Sequence, residues 1–103
     1  MKQAFLSLLA CLILSSCVTV EVPVEEYSLA RAAQNAALNS DASKFAPQYF
    51  HKAQKLYKRG EQLFKERYYD DARKHFVLAR KYAERAESIA RVKQFQTGDL
   101  NGF

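Results

Sequence analysis

A seam of small residues in the second half of the chain constrains the fold more than any other feature. From Tyr69 to Ala90, apolar residues recur at alternating steps of three and four, and most of them are alanines. This spacing places them on one face of an α-helix, and alanine lets neighbouring helix axes approach closely. The seam therefore predicts a long helix packed against other helices, ending at about Gln96 with Gly98 as its C-cap. Its members are Tyr69, Ala72, Phe76, Ala79, Ala83, Ala86 and Ala90.

Two earlier segments also carry a helical pattern. The first covers residues 25–39 and is rich in alanine, and its Leu29 and Leu38 are spaced to face a partner helix. Its first turn contains Glu25 and Glu26, where negative charge suits the helix dipole. This composition predicts a helix that packs through small side chains.

The second of these segments begins at Pro47, after a polar break at residues 39–43. Proline is favoured as the first residue of a helix, and apolar residues follow at a spacing of three and four up to Phe64. Arg67-Tyr68 then predicts a turn before the alanine seam. Three helices with short connections predict an all-α fold, a three-helix antiparallel bundle.

The N-terminus reads as an export signal rather than as part of this fold. Eleven of the first fourteen residues are apolar, and Lys2 precedes the apolar run. A transmembrane helix needs about 20 apolar residues, so the run is too short to span a bilayer, but it fits the apolar region of a secretory signal. The next residues, Leu14-Ser15-Ser16-Cys17, resemble the bacterial lipobox, in which the cysteine is lipidated and becomes the first mature residue.

The lipobox resemblance implies a diacylglyceryl group and acyl chains such as palmitate on Cys17. Because each buried methylene contributes about 0.8 kcal/mol, several chains anchor a protein essentially permanently. In such lipoproteins an Asp after the cysteine favours the inner membrane, so Val18 implies the outer membrane, facing the periplasm. An ordinary signal cut near Ser16, with Cys17 a spare thiol, is the alternative. The predicted bounds are 1–16 for the signal peptide, 17–24 for the lipidated cysteine and an extended tether, 25–97 for the helical domain and 98–103 for a flexible tail.

The second and third helical segments together resemble one tetratricopeptide unit. Gly60 and Ala72 are small where the paired helices would cross, and Leu63 and Phe76 would lock that crossing. The closing proline of the unit is missing, with Glu84 in its place. Since stable arrays need about three repeats and one is visible, the resemblance implies a tetratricopeptide-like hairpin rather than a repeat domain.

Residues 17–97 as a whole resemble a family of small alanine-rich helical lipoproteins of Gram-negative bacteria that has no assigned biochemical function. The resemblance rests on the lipobox, the alanine-rich first helix and the Ala46-Pro47 start of the second. It rests also on the run Tyr-x-x-Ala-x-x-x-Phe-x-x-Ala that begins at Tyr69.

The charge distribution points to an anionic surface. The chain has 16 Lys and Arg against 11 Asp and Glu, a net charge of +5. Five of these bases fall between Lys44 and Arg59, where there is no acid. Lys44, Lys52, Lys55 and Arg59 lie roughly along one helix side, which predicts contact with lipid headgroups, lipid A phosphates or an acidic partner. A solvated helix face is the alternative interpretation.

No catalytic constellation is visible. The chain has no Gly-rich phosphate loop, no GxSxG and no HExxH, and its two histidines, His51 and His75, lie on different predicted helices beside lysines. Asp70 and Asp71 start the third helix, where they suit its dipole. We therefore expect no catalytic residue, metal, cofactor or small-molecule substrate, and an exported protein is not expected to bind nucleic acid.

The sequence thus predicts a lipid-anchored protein of the cell envelope, a structural or protein-binding module with an envelope protein as partner. The alternative is a peripheral binder of anionic lipid or cell-wall polymer through the basic helix face. Some aromatic residues do not fit the core spacing and predict a contact patch for another protein or a second copy. They are Phe45, Tyr68, Phe95 and Phe103.

Overall fold

A computed structural model describes residues 2–6 and 20–102, the last four of these by their backbone alone. The described residues form helices and no strand, which confirms the predicted all-α class. Residues 2–6 are helical. The helices that follow are α1 (Val24–Asn39), α2 (Ala42–Phe45), α3 (Pro47–Lys65) and α4 (Tyr69–Gly102).

The helices begin at the predicted signals. Pro47 occupies the first turn of α3, and the acidic pairs Glu25, Glu26 and Asp70, Asp71 lie in the first turns of α1 and α4. There they stabilise the positive end of each helix dipole. These starts are local, so the sequence pattern was sufficient to predict them.

The turn between α3 and α4 is a Schellman motif, one residue longer than predicted. Arg67 takes a left-handed φ of 66°, and its N–H donates to the carbonyl oxygen of Phe64 at 3.1 Å. The Tyr68 N–H donates to Leu63 at 2.9 Å, and both bonds satisfy carbonyls that the end of α3 leaves unpaired. The reversal makes α3 and α4 an antiparallel hairpin.

Helix α4 is the centre of the arrangement. The helix α1 lies along it in the same direction: Glu26 pairs with Arg73 near the two starts, and Gln94 Nε2 donates to the Ser40 carbonyl at 2.7 Å near the far end. Both α1 and α3 contact α4 far more than they contact each other. A fourth helix, α2, also fills the predicted polar break, so the described chain departs from the simple three-helix bundle that we expected.

The alanine seam forms the core, as predicted. Its five alanines are at most 1 % exposed, and Phe76 is fully buried among them. Gly60 lies against the Phe76 ring, since an added Cβ would stand 2.7 Å from its Cε1 atom. Gly60, Leu63, Ala72 and Phe76 are all buried, which confirms that they form the crossing of the hairpin.

Two details of the helices differ from expectation. Leu29 and Leu38 are exposed, whereas Ala30, Ala33 and Ala37 are buried, because the close approach of α1 to α4 admits small side chains at the contact. Helix α4 continues through Gly98 to Gly102, so Gly98 is not a C-cap. No glycine in the described part of the chain has the positive φ that such a cap requires.

Candidate interaction surfaces

The segment before α1 is docked against the start of α4. Pro23 is fully buried, and Arg73 Nη2 donates to the carbonyl oxygen of Glu21 at 3.2 Å. The Arg73 guanidinium also approaches Glu26, with Nε 3.2 Å from Oε1. Part of the predicted tether is therefore held on the helical domain. Cys17, the predicted lipidation site, lies outside the described residues.

A cluster of aromatic rings with one acid and one arginine joins α1 to the hairpin. The Tyr27 hydroxyl donates to Glu61 Oε2 at 2.5 Å, and its ring stacks on Phe76 with centroids 4.5 Å apart. Arg31 lies over the Tyr27 ring at 4.9 Å and donates from Nε to the Tyr57 hydroxyl at 3.2 Å. We call these five residues the Tyr27 cluster.

The Tyr27 cluster perturbs the ionisation of its central tyrosine. Burial and the hydrogen bond to Glu61 raise the pKa of Tyr27 to about 12. Both causes favour the neutral phenol, because the phenolate would lie in a less polar environment beside a carboxylate. The cluster is therefore a structural contact whose strength depends on a protonated Tyr27.

The four predicted anionic-contact residues do not share one helix face. Lys52, Lys55 and Arg59 are exposed on α3, but Lys44 is on α2, where its Nζ atom lies 5.2 Å from the Phe45 ring centroid. Lys52 Nζ lies 4.6 Å from the ring centroid of Tyr82, on α4. The non-helical backbone at Ala46 separates α2 from α3, so the basic face of α3 consists of three residues.

The arginines on the α1 side of α4 are neutralised. Arg73 pairs with Glu26 and Asp70, Arg80 with Glu84 at 2.8 Å, and Arg91 with Glu87 at 2.8 Å. In the described part of the chain, Lys81 and Arg85, which lie further around α4, form no salt bridge, although Lys81 also borders a depression beside α1. Positive charge that no acid balances is therefore concentrated on one side of the long helix.

A shallow groove runs along that same side of α4. One depression of about 370 Å³ lies between α3 and α4 and is lined by Tyr49, Leu78, Lys81, Tyr82 and Arg85. A second, of about 280 Å³, adjoins it at Tyr49 and reaches Ile89 and Lys93. A third, of about 370 Å³, continues from Arg85 past Val92 to Gln96. We refer to the three together as the α4 groove.

The predicted aromatic patch is not a single surface. Phe45 is half-buried against the core, whereas Tyr68 and Phe95 are exposed. Tyr68 precedes α4 and Phe95 lies near its other end, about 39 Å away at 1.5 Å per helical residue. Phe103 is outside the described residues. The prediction that these residues form one patch is therefore wrong for Tyr68 and Phe95.

The histidines and acids do not assemble a metal site in the described residues. His51 is exposed on α3, and His75 Nδ1 lies 2.8 Å from the Asp71 carbonyl oxygen on its own helix. Within residues 2–6 and 20–102 there is no group of three or more His, Cys, Asp or Glu side chains placed to hold a metal ion. Over the same residues, no helix has the length and apolar content to cross a membrane.

A comparison with protein families identifies the helical domain. Residues 25–97 match the family described as Domain of unknown function (DUF4398). The chain belongs to the DUF4398 family. The match spans nearly all of α1, the whole of α2 and α3, and most of α4, so the DUF4398 domain includes both the Tyr27 cluster and the α4 groove. The sequence resemblance implied a family without an assigned function, and the match confirms that part of the prediction.

The other comparisons add no relative to the DUF4398 assignment. The chain has no match among curated proteins. It has none among solved structures either. The function of this DUF4398 domain is therefore argued from its own surfaces.

The sequence analysis did not single out Glu61, Lys81 or Arg85. Glu61 is the only acid within α3, and that isolation was the signal for a specific partner. No sequence pattern distinguishes Lys81 and Arg85 from the other bases of α4, because their position relative to the acids depends on which face of α4 is packed.

Proposed function

We propose that this chain is a lipoprotein of the bacterial cell envelope whose DUF4398 domain is a structural or protein-binding module rather than an enzyme. Residues 1–16 are its export signal, and Cys17 carries the lipid. The anchor holds the protein on the outer membrane, facing the periplasm, and the hairpin of α3 and α4 contacts an envelope protein.

The observation that carries this proposal is the docking of residues 21–23. Pro23 is buried and Arg73 holds the Glu21 carbonyl, so the ordered domain begins soon after Cys17. Val20 is the third residue after Cys17, a span of at most about 11 Å when extended. A lipid on Cys17 would hold the start of α4 close to the membrane, and α4 would project the hairpin from there.

The backbones of α3 and α4 approach closely. The hairpin suits a binding role because its side facing away from α1 is open to a partner. Gly60 against Phe76 is the kind of small-on-large crossing found in tetratricopeptide units, and it supports a tetratricopeptide-like interpretation. On this interpretation α1, α3 and α4 act as a three-helix bundle. The partner would contact the side of the hairpin that α1 leaves uncovered.

The anchor is tested by replacing the cysteine. We expect Cys17→Ala to move the protein from the membrane fraction to the soluble fraction, because the acyl chains are then absent. Cys11→Ala is the matched control, since Cys11 lies in the discarded signal, and it should stay with the membranes. A Cys17→Ala protein that still sediments with membranes after high-salt washing contradicts the anchor.

The partner is tested in intact cells by photo-crosslinking from several exposed hairpin positions, such as His51, Lys58 and Leu78. We expect at least one position to give a discrete crosslinked protein that is absent without irradiation. If no hairpin position gives such a product, the protein-binding role is wrong.

A second candidate function, binding of anionic lipid or cell-wall polymer, is favoured by the basic face of α3. Lys52, Lys55 and Arg59 are exposed and form no salt bridge in the described residues. Such binding would be lost at moderate ionic strength, because salt screens exposed charges within about 10 Å at 0.1 M. Salt-resistant or absent binding of Cys17→Ala protein to phosphatidylglycerol vesicles would exclude this candidate.

A further inference from the structure

A second seam runs along α4 beside the alanine seam. Its members follow one another at alternating steps of four and three, and at 100° per residue they lie about 120° around the axis from the alanines. This is the spacing with which one helix packs along another. The members are Leu78, Tyr82, Arg85, Ile89, Val92 and Gln96.

Among the described residues, no helix packs along the full length of the second seam. Leu78 is 43 % exposed and Val92 is 57 % exposed, whereas Tyr82 and Ile89 are half-buried. The seam spans nineteen residues from Leu78 to Gln96, or about 27 Å of helix. About five turns of α4 therefore present a partly exposed stripe of helix-packing geometry, apolar except at Arg85 and Gln96.

The stripe is bordered on one side, over part of its length, by residues of α2 and α3. Tyr49 of α3 forms part of the wall and stacks on Tyr82, with ring centroids 6.2 Å apart. Lys52 lies over the same Tyr82 ring. Further along, Phe45 and Pro47 stand beside Ile89 and Lys93. A partner would therefore lie beside a wall from α2 and α3 as far as Lys93, and on the surface of α4 alone from there to Gln96.

The groove is positively charged and has no acidic lining residue. Lys81, Arg85 and Lys93 line its depressions, and no Asp or Glu side chain does. The glutamates of α4 at this level, Glu84 and Glu87, are engaged by Arg80 and Arg91. The groove therefore complements an apolar stripe flanked by negative charge.

We propose that the α4 groove binds an amphipathic acidic helix of a partner protein, laid along Leu78 to Gln96. This inference rests on the proposed protein-binding function and assigns its surface and the chemistry of its partner. A second copy of the chain is disfavoured, since its seam carries the same bases, Lys81, Arg85 and Lys93, and no acid to pair with them.

The probe for this inference is a synthetic peptide of about three heptads, with Leu at the seam positions and Glu at the flanking ones. A peptide with Lys in place of each Glu is its control. Binding to the full-length protein in neutral detergent is measured by fluorescence anisotropy at low salt. We expect the acidic peptide to bind and the basic peptide not to bind.

Charge reversal locates the binding. The double variant Lys81→Glu/Arg85→Glu should bind the acidic peptide at least roughly tenfold more weakly and gain affinity for the basic one, because each flanking charge pair is inverted. The matched variant Lys58→Glu/Lys65→Glu makes the same charge change on α3 instead of α4 and should bind like the parent. Both variants replace exposed residues, and circular dichroism verifies that their helix content is unchanged.

Three results would overturn the inference. They are no binding of the acidic peptide to the parent, equal binding by the Lys81→Glu/Arg85→Glu variant, and parent protein that binds phosphatidylglycerol vesicles but neither peptide. If any of these occurs while crosslinks form elsewhere on the hairpin, the groove is excluded and the proposed function stands. If no hairpin position crosslinks, the proposed function itself fails.

Discussion

Tyr27 holds three helices together through one side chain. Its hydroxyl is bonded to α3 through Glu61, its ring packs on Phe76 of α4, and Arg31 of its own helix covers it. The contacts with Glu61 and Phe76 depend on how α1 is placed against α3 and α4, so no local sequence pattern predicts the set. The physical consequence is a link between α1 and the hairpin that depends on the protonation of a single phenol.

That dependence predicts a loss of stability at alkaline pH. Because the pKa of Tyr27 is raised from 10.0 to about 12, the unfolded chain loses this proton first, and the free energy of unfolding falls as pH rises through that interval. The stabilisation is complete below pH 10.0. Urea unfolding of the parent and of Tyr27→Phe should show a stability difference that declines across this interval. A difference that does not change with pH would contradict the role of the hydroxyl.

Gln34 has a side-chain amide that is buried and unpaired. Both its Nε2 and Oε1 atoms are buried without a hydrogen-bond partner in the structure. Gln34→Met should therefore raise the free energy of unfolding by about 1–2 kcal/mol, since it removes unpaired polar atoms and keeps the length of the side chain. Gln48→Met, at an exposed position of α3, should change it by less than about 0.5 kcal/mol. Destabilisation by Gln34→Met, measured by urea unfolding, would show that this amide has a partner.

At the scale of the helices, most of the fold was readable because its signals are local. Pro47, the acidic first turns and the alanine seam each act within one helix, and the structure bears them out. The failures required knowledge of neighbours. Leu29 and Leu38 were expected at the contact because of their spacing, but the close approach of α1 to α4 selects the smaller alanine side chains. Helix α2 is too short to show any periodicity.

The close packing of α3 against α4 leads to a prediction about Gly60. Gly60→Ala places a methyl group against the Phe76 ring, so it should lower the free energy of unfolding by about 1–3 kcal/mol through overpacking. Gly98→Ala is the matched substitution, because nothing lies within 4 Å of its added Cβ. It should raise the free energy of unfolding by up to about 1 kcal/mol through helix propensity. Thermal or urea unfolding that gives both variants the same sign would contradict the packing of the hairpin.

At the scale of the whole molecule, the two sides of α4 differ in charge. The α1 side carries arginines paired with acids, and the groove side carries Lys81 and Arg85 without such pairs. The sequence predicted a basic surface but placed it on Lys44, Lys52, Lys55 and Arg59, since a linear run of bases is visible and a helix face shared by two elements is not. The candidate site thus came only partly from the sequence. Its location depended on which face of α4 the alanines occupy.

We propose that a lipid on Cys17 holds this domain at the membrane. The intact mass of the protein extracted from membranes tests that attachment. We expect the mass of a chain that begins at Cys17 and carries a diacylglyceryl group, with or without an amide-linked acyl chain. A chain that begins at any other residue, or an unmodified Cys17, would contradict it.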